Sequence, residues 1–344
     1  DGNGQLTGSF DIASRPWKFA ICTDSDSNGT SSAGSGFSAA GEQFNVYARP
    51  IKYTSSNAVC SDDNLLTDNY FTSTASVQVT TTLDTPRVSD YPDAVLGGLT
   101  PPEQLTKQIS TGDKANKGYK FENLKYSEAG SFNFIATETG SFYGNILGGF
   151  SGSKAIGRFY PKYFRVIDQN WNYAGAQSFN YMNQNFEQVS FAVEALSKEV
   201  PINGQTEAPQ PVHNYQYFDP KLQTSFSLYE SELAKRFISP SFGKGVWSGE
   251  NQSIGRFSVN LSGKCGANTS FCVTKAETKA GYEDGPYNLN EGVSGDITDI
   301  RLAIEDNIDP VEFWNDGDQL LKEPDIRFGR IDLDDVGGNS GATI

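Results

Sequence analysis

The chain has 344 residues, 37% of them hydrophobic and 12% aromatic, with a formal net charge of −15 at pH 7. That length exceeds one ordinary hydrophobic core and predicts two or three domains. The acidic balance argues against nucleic-acid binding through phosphate contacts and against attraction to anionic membranes, since both need a basic surface.

A total of 16 Tyr and 23 Phe beside a single Met favours strands over helices, and 35 Gly add frequent turns. An all-β chain with long polar loops is therefore expected. No transmembrane run is visible, so this stretch is expected to make no direct membrane insertion. The opening "DGNGQLTG" lacks a start methionine and reads as a piece of something larger.

In chain order, "SFDIASRPWKFAICT" alternates up to Cys22, broken at Arg15-Pro16, with Phe19 and Ile21 on one face of a strand. The polar stretch that follows contains "DSDSNGT". Asp24, Asp26 and Asn28 stand at positions one, three and five of a calcium loop, with Gly29 at the sharp turn and the Thr30 carbonyl next. Ser35 holds position twelve, where a bidentate Glu belongs, and the flanks read as strands. The motif thus competes with a plain solvated loop, and Ca2+ is the only cofactor it suggests. "EQFNVYARPI" alternates again, placing Phe44, Val46 and Ala48 on one face. "SVQVTTTL" is β-branched, and the stretch from "LGGLTPPEQL" to "GDKANKG" has room for a short helix. "GYKFENLKYSEAGSFNFIATE" restores two strands around Glu128-Ala129-Gly130.

A weaker second copy follows. "FEQVSFAVEAL" takes the place of "EQFNVYARPI", "VHNYQYF" that of "LTDNYF", and "RFSVNLSG" that of "GSFNFIAT". The offsets vary over roughly 130 to 150 residues, as loop lengths drift in a diverged repeat. "KLQTSFSLYESELAKRF" fits helix or strand. The predicted domains are residues 1–156 and 157–323, each a β-sandwich, and 324–344, the start of a third β unit. The phrase "IGRF" occurs at Ile156–Phe159 and Ile254–Phe257, with "RFGR" at Arg327–Arg330. We read it as punctuation between units: Gly lets the chain bend, Arg bridges the junction, Phe and Ile anchor in cores.

Four cysteines without a C-x-x-C pair suggest disulfides and an oxidising compartment. Three connectivities are open, and Cys22–Cys60 with Cys265–Cys272 keeps each bridge local. The one histidine, His213, sits between a Pro-rich loop and an apparent strand, and no nucleophile elbow, metalloprotease helix or phosphate loop is present. Enzymatic function is therefore not expected. Trp17, Trp171, Trp247 and Trp314 compete between core plugs and sugar-stacking faces, and Trp171, flanked by Asn and Tyr, is the candidate ligand contact.

Five phrases, "GYKFENLKYSEAGSFNFIA", "AIGRFYPKYFRV", "SFNYMNQNFEQVSFAVEAL", "EDGPYNLNEGVSGDITD" and "PDIRFGRIDLDDVGG", stand in one order. In that order they resemble the C-terminal domain of unassigned function of MshQ-type proteins, which belong to the mannose-sensitive haemagglutinin (MSHA) type IV pilus system of marine and aquatic Gammaproteobacteria. The resemblance implies a surface, secreted or periplasmic protein of a Gram-negative bacterium, linked to pilus assembly or attachment. It implies no catalysis and brings no binding residue. The third unit is only begun here, and "AIEDNIDPVEFWNDGDQLLKEPD" is longer than the family's connection. The expected fold is a tandem of immunoglobulin-like antiparallel β-sandwiches with long loop insertions. The expected role is a non-enzymatic structural or adhesive module of a surface appendage, its partners being pilus or cell-envelope proteins. The alternative is a carbohydrate-binding module or lectin that takes surface glycans, with calcium as its metal.

Overall fold

Both faces of the first strand are buried, and this sets the plan of the N-terminal half. Phe19 and Ile21 turn inward to a large aromatic core, while Ala20 and Cys22 turn outward beneath a loop. The structure is a computed structural model that describes residues 8, 14–72, 74–140, 149–202, 205–229, 237–238, 241–250, 252–261, 265–266, 272–273, 300–305, 308–315, 317 and 324–327. Among these residues it is all-β, with no helix of seven residues or more.

The first unit contains β1 (Lys18–Thr23), β2 (Ser38–Ala39), β3 (Gln43–Ile51), β4 (Ser76–Thr85), β5 (Leu99–Thr100), β6 (Thr106–Gln108), β7 (Tyr119–Tyr126), β8 (Gly130–Glu138) and β9 (Ser151–Tyr160). One sheet runs β1-β3-β7-β5 and the other β2-β9-β8-β4-β6. In immunoglobulin lettering these are A-B-E-D facing G-F-C. The short β2 runs parallel to β9, the last strand. Alternating residues from both sheets fill the core: Val46, Ala48 and Phe121 from one, Val77, Phe132, Phe134 and Phe159 from the other. The stretch expected to hold a short helix makes only 3-10 turns at Pro102–Leu105 and Thr111–Lys114. Pro101 and Pro102 and the glycines leave no helical period there.

The second unit contains β10 (Tyr163–Asn172), β11 (Asn180–Tyr181), β12 (Gln188–Leu196), β13 (Val200–Ile202), β14 (Gln205–Ala208), β15 (Ser225–Tyr229), β16 (Phe237–Ile238), β17 (Val246–Ser248), β18 (Ile254–Asn260), β19 (Cys272–Val273), β20 (Arg301–Glu305), β21 (Glu312–Phe313) and β22 (Ile326–Arg327). The order β10-β12-β18-β17 repeats A-B-E-D, and the antiparallel pair β15–β20 takes the place of C and F. The parallel pair β11–β22 repeats β2–β9. Phe226 of β15 packs on Phe164, Phe191 and Phe257 of the facing sheet, with ring centroids 5.2, 6.4 and 5.2 Å away.

The two units coincide in fine detail. The backbone N–H of Trp17 reaches the Ile51 carbonyl at 2.8 Å, and that of Lys162 reaches Leu196 at 2.8 Å. Ile51 bridges to Leu66, and Leu196 to Pro211. Each bridge leads into a 3-10 turn, Asp68–Thr72 or Asn214–Tyr217, which buries a tyrosine, Tyr70 or Tyr215. The match of "VHNYQYF" to "LTDNYF" is thus structural. The match of "RFSVNLSG" to "GSFNFIAT" is not, because β18 pairs with β12 as β7 pairs with β3. Ile326 lies in the second core, so the described part of residues 324–344 closes that unit; residues 328–344 lie outside the described set.

Candidate functional site

Among the described residues, a dense set of buried polar contacts lies where the lower pole of the first unit meets the upper pole of the second. Arg158, on β9, is fully buried. Its guanidinium meets both carboxylate oxygens of Asp309, at 2.5 and 3.0 Å, donates to the Gly34 carbonyl at 3.1 Å, and faces the Phe218 ring. A buried charge of this kind is tolerated only when paired and hydrogen-bonded. This is the arginine of the first "IGRF", and Ile156 and Phe159 beside it anchor in the first core. The second "IGRF" differs: Arg256 is exposed, and Gly255 lies beneath the Trp247 indole.

Glu128, in the turn between β7 and β8, is buried and accepts the backbone N–H groups of Ala129, His213 and Asn214 at 2.8 to 2.9 Å. Burial pushes its carboxyl up to about 7, and the three N–H bonds pull partly the other way. His213 donates from Nε2 to the Asp93 carbonyl at 2.8 Å, which leaves its buried Nδ1 without a partner. The Asn214 amide donates to the Val95 and Ala129 carbonyls and accepts from the Val95 N–H. At the rim, the Lys198 N–H reaches the Ala40 carbonyl and its ammonium meets Glu42 at 2.7 Å. Gly41 has φ +80°, and a Cβ there would stand 2.8 Å from the Lys198 carbonyl. Ala40 and Ala129, from the first unit, belong to the second core.

Glu128 and His213 are both enclosed at the junction, where each bonds across from one unit to the other. Beside the junction, a 540 Å³ groove is lined by Thr30, Ser32, Arg87, Asp90 and Asp219, with Tyr91 stacked on Tyr217 at 4.6 Å. At the opposite pole of the first unit, a 570 Å³ groove is lined by Arg15, Trp17, Lys52, Tyr53, Asp68 and Asn69. There Trp17 and Tyr53 pack edge to face at 5.0 Å and are 42% and 78% exposed.

The residues singled out in the sequence fall in several places. Asp24 accepts from the Asn45 amide at 2.9 Å, beside a 340 Å³ depression, and Asp26 and Asn28 face solvent. The Thr30 hydroxyl accepts the Ala33 N–H within its own turn. Gly29, at the calcium motif's turn position, serves close packing: a Cβ would lie 2.8 Å from Arg158, and its N–H bonds the Gly157 carbonyl at 3.1 Å. Among the described residues, no group of three or more His, Cys, Asp or Glu side chains could hold a metal ion. Trp171 is half-buried, packs on Phe186 at 5.2 Å and borders the second core. Trp247 is a core plug against Tyr215 and Phe257, and Trp17 is the exposed member of the set. Of the stretch "AIEDNIDPVEFWNDGDQLLKEPD", residues 306, 307, 316 and 318–323 lie outside the described residues. Cys22–Cys60 and Cys265–Cys272 are disulfides, and no described cysteine is free.

Glu128, Asn214 and Asp309 carried no sequence signal as junction residues, because their partners lie 85 to 151 residues away. The usable signal was the shared Asn-Tyr pair, Asn69-Tyr70 and Asn214-Tyr215, inside the repeated phrase.

Family models described as "DUF6701, second domain" and "DUF6701, third domain" match residues 15–118 and 128–319. No curated protein and no solved structure matches the chain. The third-domain match takes in β8 and β9, the two strands that carry the first unit's core down to Arg158, so the family's own division runs through the bonded region described above. With the third-domain model alone covering more than half of its length, the chain belongs to the DUF6701 family.

Proposed function

We propose that this chain is a non-enzymatic structural module of a bacterial surface appendage, a stiff spacer in pilus assembly or attachment of the MSHA type. The observation that supports this reading best is the junction. Side chains of each unit are buried against the other, and Arg158–Asp309 and Glu128–Asn214 both tie the units together. Tandem sandwiches with exposed linkers swing, and a shared buried interface restrains that motion. Two disulfides fit an oxidising compartment, and no described helix is long and apolar enough to cross a membrane. Pilus or cell-envelope proteins are the partners this reading requires. The test is genetic and biochemical. Deletion of the gene is expected to reduce pili or attachment, and the protein is expected in sheared appendage or envelope fractions. Intact piliation and attachment, with the protein absent from those fractions, would sink the proposal.

One observation favours carbohydrate binding as a second reading. The groove at the junction combines a stacked tyrosine pair with Arg87, Asp90 and several hydroxyls, the mixture of flat faces and charge-assisted donors and acceptors that suits a sugar. A glycan screen, with and without chelator, is expected to lose its hits in Tyr91→Ala if this reading holds.

A further inference from the structure

The internal repeat places one surface of the first unit in the role that an equivalent surface already plays in the second. The bridges Ile51↔Leu66 and Leu196↔Pro211 set the correspondence. Two further pairs of bonds confirm its register: Lys52 N–H to Leu65 O matches Ser197 N–H to Gln210 O, each 2.8 Å, and Thr67 N–H to Pro50 O matches Val212 N–H to Ala195 O, each 3.0 Å. By that register Tyr53 stands where Lys198 stands, Asp68 where His213 stands, and Asn69 where Asn214 stands. Lys198, His213 and Asn214 are the residues through which the second unit grips the lower pole of the first. Their three counterparts line a single groove, together with the exposed Trp17.

We propose that this groove is the seat of another immunoglobulin-like module, the one that precedes the second domain in the DUF6701 family. The family numbering of residues 15–118 as a second domain provides for such a module. The mode of docking follows from the junction already present. A carboxylate from the incoming turn accepts the backbone N–H of Asp68, as Glu128 accepts that of His213. The chemistry departs at two positions, and these define the partner. Asp68 cannot donate as His213 does, so the module must present a donor where Asp93 presents a carbonyl. Tyr53 and Trp17 offer apolar faces where Lys198 offers a charge, so the module must present an apolar patch where Glu42 lies. Burying an exposed Trp and Tyr at the centre of a contact is the usual source of such binding energy.

The proposal stands on the repeat and is independent of the pilus reading, since it is read on purified protein wherever the parent resides. The experiment compares hydrogen exchange in the 344-residue chain with exchange in the same chain joined to the preceding family domain. Protection is expected at residues 15–19, 52–53 and 66–70, with exchange slowed about tenfold or more. Trp17→Ala and Tyr53→Ala in the longer chain are expected to return those segments to the rates of the shorter one, while segments around Glu128 and Asn214 stay protected. Equal exchange in both chains overturns the proposal. So does concentration-dependent protection of the shorter chain, which would make a second copy the occupant, and so does protection of that chain by a glycan mixture.

Discussion

Arg158 and Asp309 form an ion pair with no solvent to screen it, which makes removal of one partner costly and removal of both mild. Arg158→Ala is expected to destabilise the protein by about 3–5 kcal/mol in denaturant unfolding, because it leaves a buried carboxylate alone. Arg158→Met combined with Asp309→Leu is expected to recover most of that loss, and a double-mutant cycle reads the difference. Glu128 carries a pH signature. Its folded carboxyl is raised from 4.5 to about 7, so its contribution to stability is complete below pH 4.5 and is lost as pH rises through 7. The drop across that window is about 3 kcal/mol at roughly 1.4 kcal/mol per unit. Glu128→Gln is expected to flatten this part of the stability–pH curve. Glu128→Ala leaves three buried N–H groups without an acceptor and is expected to lower stability at every pH. An unchanged slope in Glu128→Gln would assign the pH effect elsewhere. The "DSDSNGT" loop is expected to show no difference in unfolding midpoint between calcium and EDTA, since Asp24 and Thr30 already serve other partners. A rise with calcium that Asp24→Ala abolishes would make it a cation site.

At the scale of elements, the loop of residues 52–69 acts as a cover for the outer face of β1 and β3. Val59 and Leu65 pack on Ala20, Cys22 and Ile51, and the Cys22–Cys60 bridge ties the cover down. Arg49 adds a second tie, donating to the Cys60 carbonyl and pairing with Asp63 at 2.8 Å. The bridge closes a loop across a separation of 38, for which chain entropy sets a stabilisation of about 3–4 kcal/mol. Cys22→Ser with Cys60→Ser is expected to lower the thermal midpoint and to raise protease sensitivity within residues 52–69 before the rest of the unit opens. The alternation of β1 was legible, but burial of its second face was not. A short Ala20/Cys22 face reads as either exposed or covered until the loop is placed.

For the whole molecule, the shared junction couples the two sandwiches. A single cooperative unfolding transition is expected, with calorimetric and van't Hoff enthalpies equal, where tandem domains on free linkers give two. Gly41→Ala is a sharp probe: it forces a Cβ onto the Lys198 carbonyl at a backbone angle suited to glycine. It is expected to split the transition while leaving each core intact. Retention of one transition would show that the Arg158 and Glu128 contacts suffice on their own.

The sequence by itself determined the fold class, the local disulfide pairing as one of three options, and the repeat of the strand–turn phrase ending in Asn-Tyr. Each of these depends on short-range alternation, composition and spacing. Only the tertiary structure decided which arginine of the two "IGRF" phrases is buried, which glycine is a packing contact, and which tryptophan is exposed. It also decided that β18 repeats β7 and that Ile326 closes the second unit. The physical reason is common to all of these. Burial of a charge, close approach of a backbone and exposure of an indole are set by neighbours far away in sequence, such as Asp309 for Arg158 and Lys198 for Gly41. Such pairings leave no periodic trace along the chain that carries them.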